Sequence, residues 1–66
     1  MKAYQVRVVE EKKALDENLK KLKNFIMTDK YSDLSIAEQK RLSYQEPIME
    51  VYSMILAERI AAFQSE

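Results

Sequence analysis

The chain has no cysteine, no histidine, no tryptophan and no glycine, and only one proline, Pro47. Without cysteine or histidine there is no disulfide, no zinc finger and no histidine-based catalysis. Without glycine there is no glycine-rich phosphate loop, and tight β-hairpins are disfavoured. No apolar run approaches the length of a membrane span. The first residues, MKAYQVRVVEEKK, lack the apolar core of a signal peptide. These absences lead us to expect a cytoplasmic protein with no membrane partner.

What is present suits a helical chain. Charged residues make up 33% and apolar residues 47% of the 66 positions, a balance that fits a folded domain. A chain this short makes one domain at most and buries a modest share of its surface, so it usually needs a staple. With disulfides excluded, and no metal set, oligomerisation is the staple that remains. The zero net charge is split. Residues 1–30 carry eight basic and five acidic side chains, residues 31–66 three and six, giving 8 − 5 = +3 and 3 − 6 = −3. Opposite halves suit an antiparallel hairpin, although exposed ion pairs contribute only about 0–1 kcal/mol each.

The fold expected is all-α: an antiparallel two-helix hairpin, helix 3–27, connection 28–35 and helix 36–63, assembling into a helical homo-oligomer. In the first helix Tyr4, Val8, Leu15, Leu19, Leu22 and Ile26 share one face, with the 4, 3, 4 spacing of packed helices from Leu15 onward. Lys12 interrupts that seam, and its stem can pack while its ammonium reaches water. Phe25 and Met27 are placed to cap the hairpin end. The KKLK run reads as a solvated face. Thr28–Leu34 has turn formers and no periodicity. Ser35-Ile36-Ala37-Glu38 then reads as a capping box that opens the second helix.

The second helix is the element around which the chain is organised. On a helix its apolar residues cover about half the circumference. Leu42, Met49, Tyr52, Leu56, Ile60 and Phe63 form one stripe; Tyr44, Ile48, Val51, Ile55 and Ala62 form a second. Two stripes imply two clients, so we expect Ile48, Val51 and Ile55 at a self-interface. The pattern stays in phase across Pro47, which predicts a kinked helix; the alternative is a break into two helices near Tyr44–Gln45.

No residue pattern names a reaction, so no enzyme, cofactor or metal site is expected. The acidic pairs Glu10/Glu11 and Asp16/Glu17 lack the histidines of a helical di-metal site. Arg41 and Arg59 lie between the two stripes. A guanidinium placed in an apolar half-circle needs a partner. For Arg59 that partner is either an acid, such as Asp16, Glu11 or one of another subunit, or an anionic ligand gripped bidentately with Tyr52 or Tyr44 stacked on a base. The ligand reading enlists Arg59, Arg41, Tyr52 and Tyr44, with Lys12 or Lys20 assisting.

The residues Arg7-Val8-Val9, Glu11-Lys12, Leu15, Leu19, Lys21-Leu22 and Phe25-Ile26, then Gln39, Leu42, Gln45, Met49, Tyr52, Ile55-Leu56, Arg59-Ile60 and Phe63, span nearly the whole chain. In them it resembles a family of small phage and prophage proteins first named from an open reading frame of a crAss-like phage. Pro47 departs from the helix former expected there. More distantly, the layout looks like the hairpin of phage anti-CBASS and anti-Thoeris sponges. The resemblance implies a phage accessory protein acting in the cytoplasm of an infected bacterial host. The architecture further suggests a sponge that sequesters a cyclic-nucleotide immune messenger between subunits. Two alternatives stand beside it: an inhibitor or scaffold that grips a host protein through the second stripe, and a purely structural self-assembling hairpin. No DNA partner is expected.

Overall fold

A computed structural model describes residues 1–65, and those residues contain helix and no strand. Helix α1 spans Ala3–Ile26, a single turn α2 spans Asp29–Ser32, and α3 spans Ile36–Ala62, followed by a 3-10 turn over Phe63–Ser65. The molecule measures 48 × 14 × 14 Å, the proportions of two long helices side by side. Contacts between them run in opposite sequence directions: Tyr4 meets Phe63, Lys12 meets Ser53 and Lys23 meets Glu46. The two helices are therefore antiparallel.

The helix ends follow local chemistry. At α1, the Gln5 side chain accepts a hydrogen bond from the Lys2 amide at 2.8 Å, satisfying a donor the helix leaves free. Gln5 is buried there, in a place where the apolar pattern pointed to Tyr4. Tyr4 instead lies partly exposed, its ring edge-on to Phe63 at 5.8 Å. At α3, the Ser35 hydroxyl accepts from the Glu38 amide at 3.1 Å. Glu38 turns its carboxylate to Arg41, so the cap is made by the serine.

The connection is more ordered than its composition suggests. Thr28 is extended, its hydroxyl donates to the Phe25 carbonyl at 2.6 Å, and one turn of helix follows. Tyr31 packs edge-on against Phe25 and donates its hydroxyl to the Gln39 carbonyl at 2.9 Å. Gln39 in turn donates to the carbonyls of Ser32 and Leu34, which satisfies backbone groups that would otherwise lack partners. Tyr31 thus does what was expected of Met27, which is 86% exposed and caps nothing.

The core is a single seam. Leu56 is fully buried, with Val8 and Leu19 nearly so, and Leu15, Leu22, Leu42, Met49 and Ile60 half-buried around them. α1 takes the first stripe of α3 and leaves the second bare. α3 continues through Pro47 as one helix, so the break near Tyr44–Gln45 does not occur. No helix is long and apolar enough to cross a membrane among the described residues.

Two substitutions test this packing. Leu56→Ala removes the best-buried side chain and should cost about 2–5 kcal/mol, read as a collapse of the urea midpoint. Pro47→Ala returns a backbone donor to α3 and relieves the clash with the preceding turn, for a gain of up to about 3 kcal/mol. A Pro47→Ala variant that changes neither stability nor self-association would contradict the helix drawn here.

Candidate binding surface

Lys12 and Ser53 each interrupt an apolar stripe, one on α1 and one on α3, and the antiparallel packing brings the two interruptions together. The Lys12 ammonium donates to Asp16 Oδ2 at 2.6 Å and to Ser53 Oγ at 3.2 Å. Ser53 donates to the other Asp16 oxygen at 2.5 Å. The hydrogen bond from Lys12, and after it the one from Ser53, hold the Asp16 carboxyl below the ordinary carboxylate range, against the opposing effect of burial. Beside this cluster, from the residues adjacent to Lys12 and Ser53, the Tyr52 hydroxyl donates to Glu11. Near the loop, Lys23 pairs with Glu50, with Glu46 at 3.9 Å. The bond to Glu50 raises the Lys23 pKa. These cross-helix contacts fix the register of the hairpin, and their acids neutralise Lys12 and Lys23.

Arg59 is exposed and has no hydrogen bond or ion pair among the described residues. This corrects the expectation of a guanidinium enclosed by apolar side chains. Neither Glu11 nor Asp16 is its partner, because Tyr52 takes the first and Lys12 and Ser53 take the second. The physical reason is that α1 covers only one stripe of α3, so the residues between the stripes lie at the rim of the core. Arg41 is exposed too, and its Nε donates to Glu38 of its own helix at 2.7 Å. Arg41 and Arg59 are five helical turns, about 27 Å, apart along α3. One small ligand on a single chain cannot touch both.

The remaining candidates divide between two surfaces. Lys12 and Lys20, with Val9, Lys13, Asp16 and Ile60, line an open groove of about 460 Å³. Asp16 and Glu17 offset its lysines, so the groove is mixed in charge. Tyr52 borders a second, almost wholly apolar groove of about 420 Å³ with Pro47, Ile48, Val51 and Ile55. Ile48 is 67%, Val51 56% and Ile55 48% exposed, and Tyr44 extends the same face toward the loop. The packing thus places Tyr52 and Arg59 at one edge of this face, Tyr44 on it, and Arg41 at its loop end, while Lys12 and Lys20 line a different groove.

Residues 2–62 match the model of the Sequestin family. The chain belongs to the Sequestin family. The match covers both long helices and the turn between them. No curated protein and no solved structure matches the chain. Membership fits the small helical family expected from the sequence.

Sequence reasoning placed Lys12 at a break in the α1 seam and named Glu11 and Asp16 as cross-helix acids, but gave them Arg59 as partner and missed Ser53 and Glu50. The signal was available: a lone serine stands in the apolar stripe between Met49 and Leu56, at the height where an antiparallel α1 puts Lys12.

The Asp16 network has a defined pH signature. A carboxyl whose folded pKa is depressed contributes stability above its unfolded pKa and loses it as pH falls through the folded value. Stability should therefore decline below the ordinary Asp pKa of 3.8. Asp16→Asn should flatten that acid limb, at a cost of under about 1 kcal/mol at neutral pH because the pair is largely solvated. Urea titrations between neutral and acid pH measure both.

Proposed function

We propose that this chain is a non-enzymatic binding protein that takes a small anionic ligand, a cyclic-nucleotide signal, out of solution. The reading continues to a phage-encoded counter-defence sponge, working as a homo-oligomer in the cytoplasm of an infected bacterium. The family name points to sequestration in general terms. The observation that carries the reading is Arg59: an exposed guanidinium without a partner among the described residues, about two helical turns from Tyr52 along the same edge of an exposed apolar face. Such a group offers bidentate hydrogen bonds to phosphate, and the Tyr52 ring offers a stacking surface to a base. Self-association through Ile48, Val51 and Ile55 would enclose that edge, and a bend at Pro47 would shape it.

A second reading has its own support. The same bare face fits an apolar helix of a host protein, which would make the chain an inhibitor or scaffold.

A melting experiment with a panel of cyclic nucleotides separates the two. A ligand at a hundredfold excess over its Kd stabilises the folded state by about 2.7 kcal/mol. We expect at least one cyclic nucleotide to raise the melting temperature. Arg59→Ala should leave the free protein within about 0.5 kcal/mol of the original, since it breaks no contact, and should abolish the shift. If no cyclic nucleotide stabilises the protein, or Arg59→Ala retains the full shift, the ligand site is not here. If Arg59→Ala retains counter-defence in cells while Ile55→Asp loses it, the host-protein reading takes its place.

A further inference from the structure

The bare face of α3 is longer than its four large apolar residues, and its two ends differ in charge. From Tyr44 the positions Ile48, Val51 and Ile55 follow at spacings of 4, 3 and 4. The same alternation continues to Arg41 and Ala37 on one side and to Glu58 and Ala62 on the other. All eight residues lie within α3 and are exposed. This is a heptad seam about seven turns long, the pattern two helices use to pack along their length. Its order is small residue, cation, four apolar residues, anion, small residue.

Such a seam is complementary to itself only when reversed. We propose that a second copy of this chain packs antiparallel along it, with Arg41 of each copy against Glu58 of the other. The register follows from the spacing. Ala37 meets Ala62, Arg41 meets Glu58, Tyr44 meets Ile55 and Ile48 meets Val51, with every pair repeated by the two-fold axis. A parallel pair sets Arg41 against Arg41 and Glu58 against Glu58, which like-charge repulsion disfavours. Sliding the antiparallel pair by one heptad in either direction sets Glu58 against Ile48 or Arg41 against Val51, and so faces a charge with an apolar side chain. Glu58 has no partner among the described residues, and Arg41 holds only the exposed Glu38 pair. Both are free to exchange. A stable interface takes about 800 Å² from each partner, roughly a sixth of this chain's 5149 Å².

The pairing rests on the self-assembly proposed above and adds its orientation and partner residues. Tyr52 and Arg59 follow the seam positions Val51 and Glu58 by one residue. In an antiparallel pair that flank faces its own counterpart, so the two copies line one groove. Glu38 lies on the same flank, and Arg59 therefore meets either that carboxylate of the other copy or an anion that enters the groove.

The absence of cysteine makes a cross-linking test clean. Chains carrying Tyr44→Cys or Ile55→Cys alone are oxidised under mild conditions, then mixed and oxidised again, beside sedimentation of the unaltered protein. In the antiparallel pair two copies of residue 55 are about 16 Å apart along the axis, beyond the roughly 7 Å Cα separation a disulfide spans. Each variant alone should stay unlinked, and the mixture should give a covalent heterodimer. Homodimers of the single variants would overturn the orientation while leaving self-assembly intact. A monomer at micromolar concentration would overturn the self-assembly and the pairing together. Ligand-induced stabilisation is read in a separate melting experiment, so failure of the pairing and failure of binding are told apart. As a second readout, Arg41→Glu should weaken association by about tenfold or more, and Arg41→Glu combined with Glu58→Arg should restore it. A double variant no tighter than the single one would also overturn the pairing.

Discussion

Everything in this molecule depends on one helix packing against one side of another. α1 and α3 run antiparallel and bury a single seam between them, in which Leu56 is fully buried and Val8 and Leu19 nearly so. A chain of 66 residues with no cysteine depends on that seam for most of the stability it has within one subunit. The same constraint creates the surface on which function is argued. α3 is apolar over more of its circumference than one partner helix can cover, so its second stripe stays in water. The bare face is a consequence of the fold having two long helices and no third.

Polar groups set the details that the apolar seam leaves open. Aliphatic side chains tolerate a slide of one turn; hydrogen-bonded pairs do not. Lys12, Asp16 and Ser53 lock the middle of the hairpin, Tyr52 and Glu11 its flank at the same level, and Lys23 with Glu50 the loop end. These pairs absorb the cations of α1 that face α3 and leave Arg59 outside the network. Arg59 is therefore available to something that is not part of this chain, and its place at the rim of the exposed aliphatic face suits a ligand or subunit that presents both charge and an apolar surface. The Sequestin family match agrees with a binding role in general terms.

Much of the fold was legible in the sequence because it follows from short-range rules. Ser35 and Glu38 announced the start of α3, the 4, 3, 4 spacing announced the α1 seam, and the in-phase pattern across Pro47 announced one continuous helix. The candidate site was less legible. Helical periodicity fixes the angle of Arg59 relative to both stripes of α3 but not which stripe α1 will cover. Once α1 takes the Leu56 side, Arg59 passes from the interior to the rim. The α2 turn was hidden for a different reason. It is held by Tyr31 against Phe25 and by Gln39 on the loop carbonyls, contacts that no local propensity encodes.

The central claim is that the hairpin is one part of a larger assembly, stabilised by covering the second face of α3. The concentration dependence of thermal unfolding tests this most directly, because a folded state held by association gains stability by mass action while a monomer does not. The account predicts a melting temperature that rises steadily with protein concentration across the micromolar range, and an Ile48→Asp variant that melts lower and has lost that dependence. A melting temperature that stays constant with concentration in the unaltered chain would contradict it.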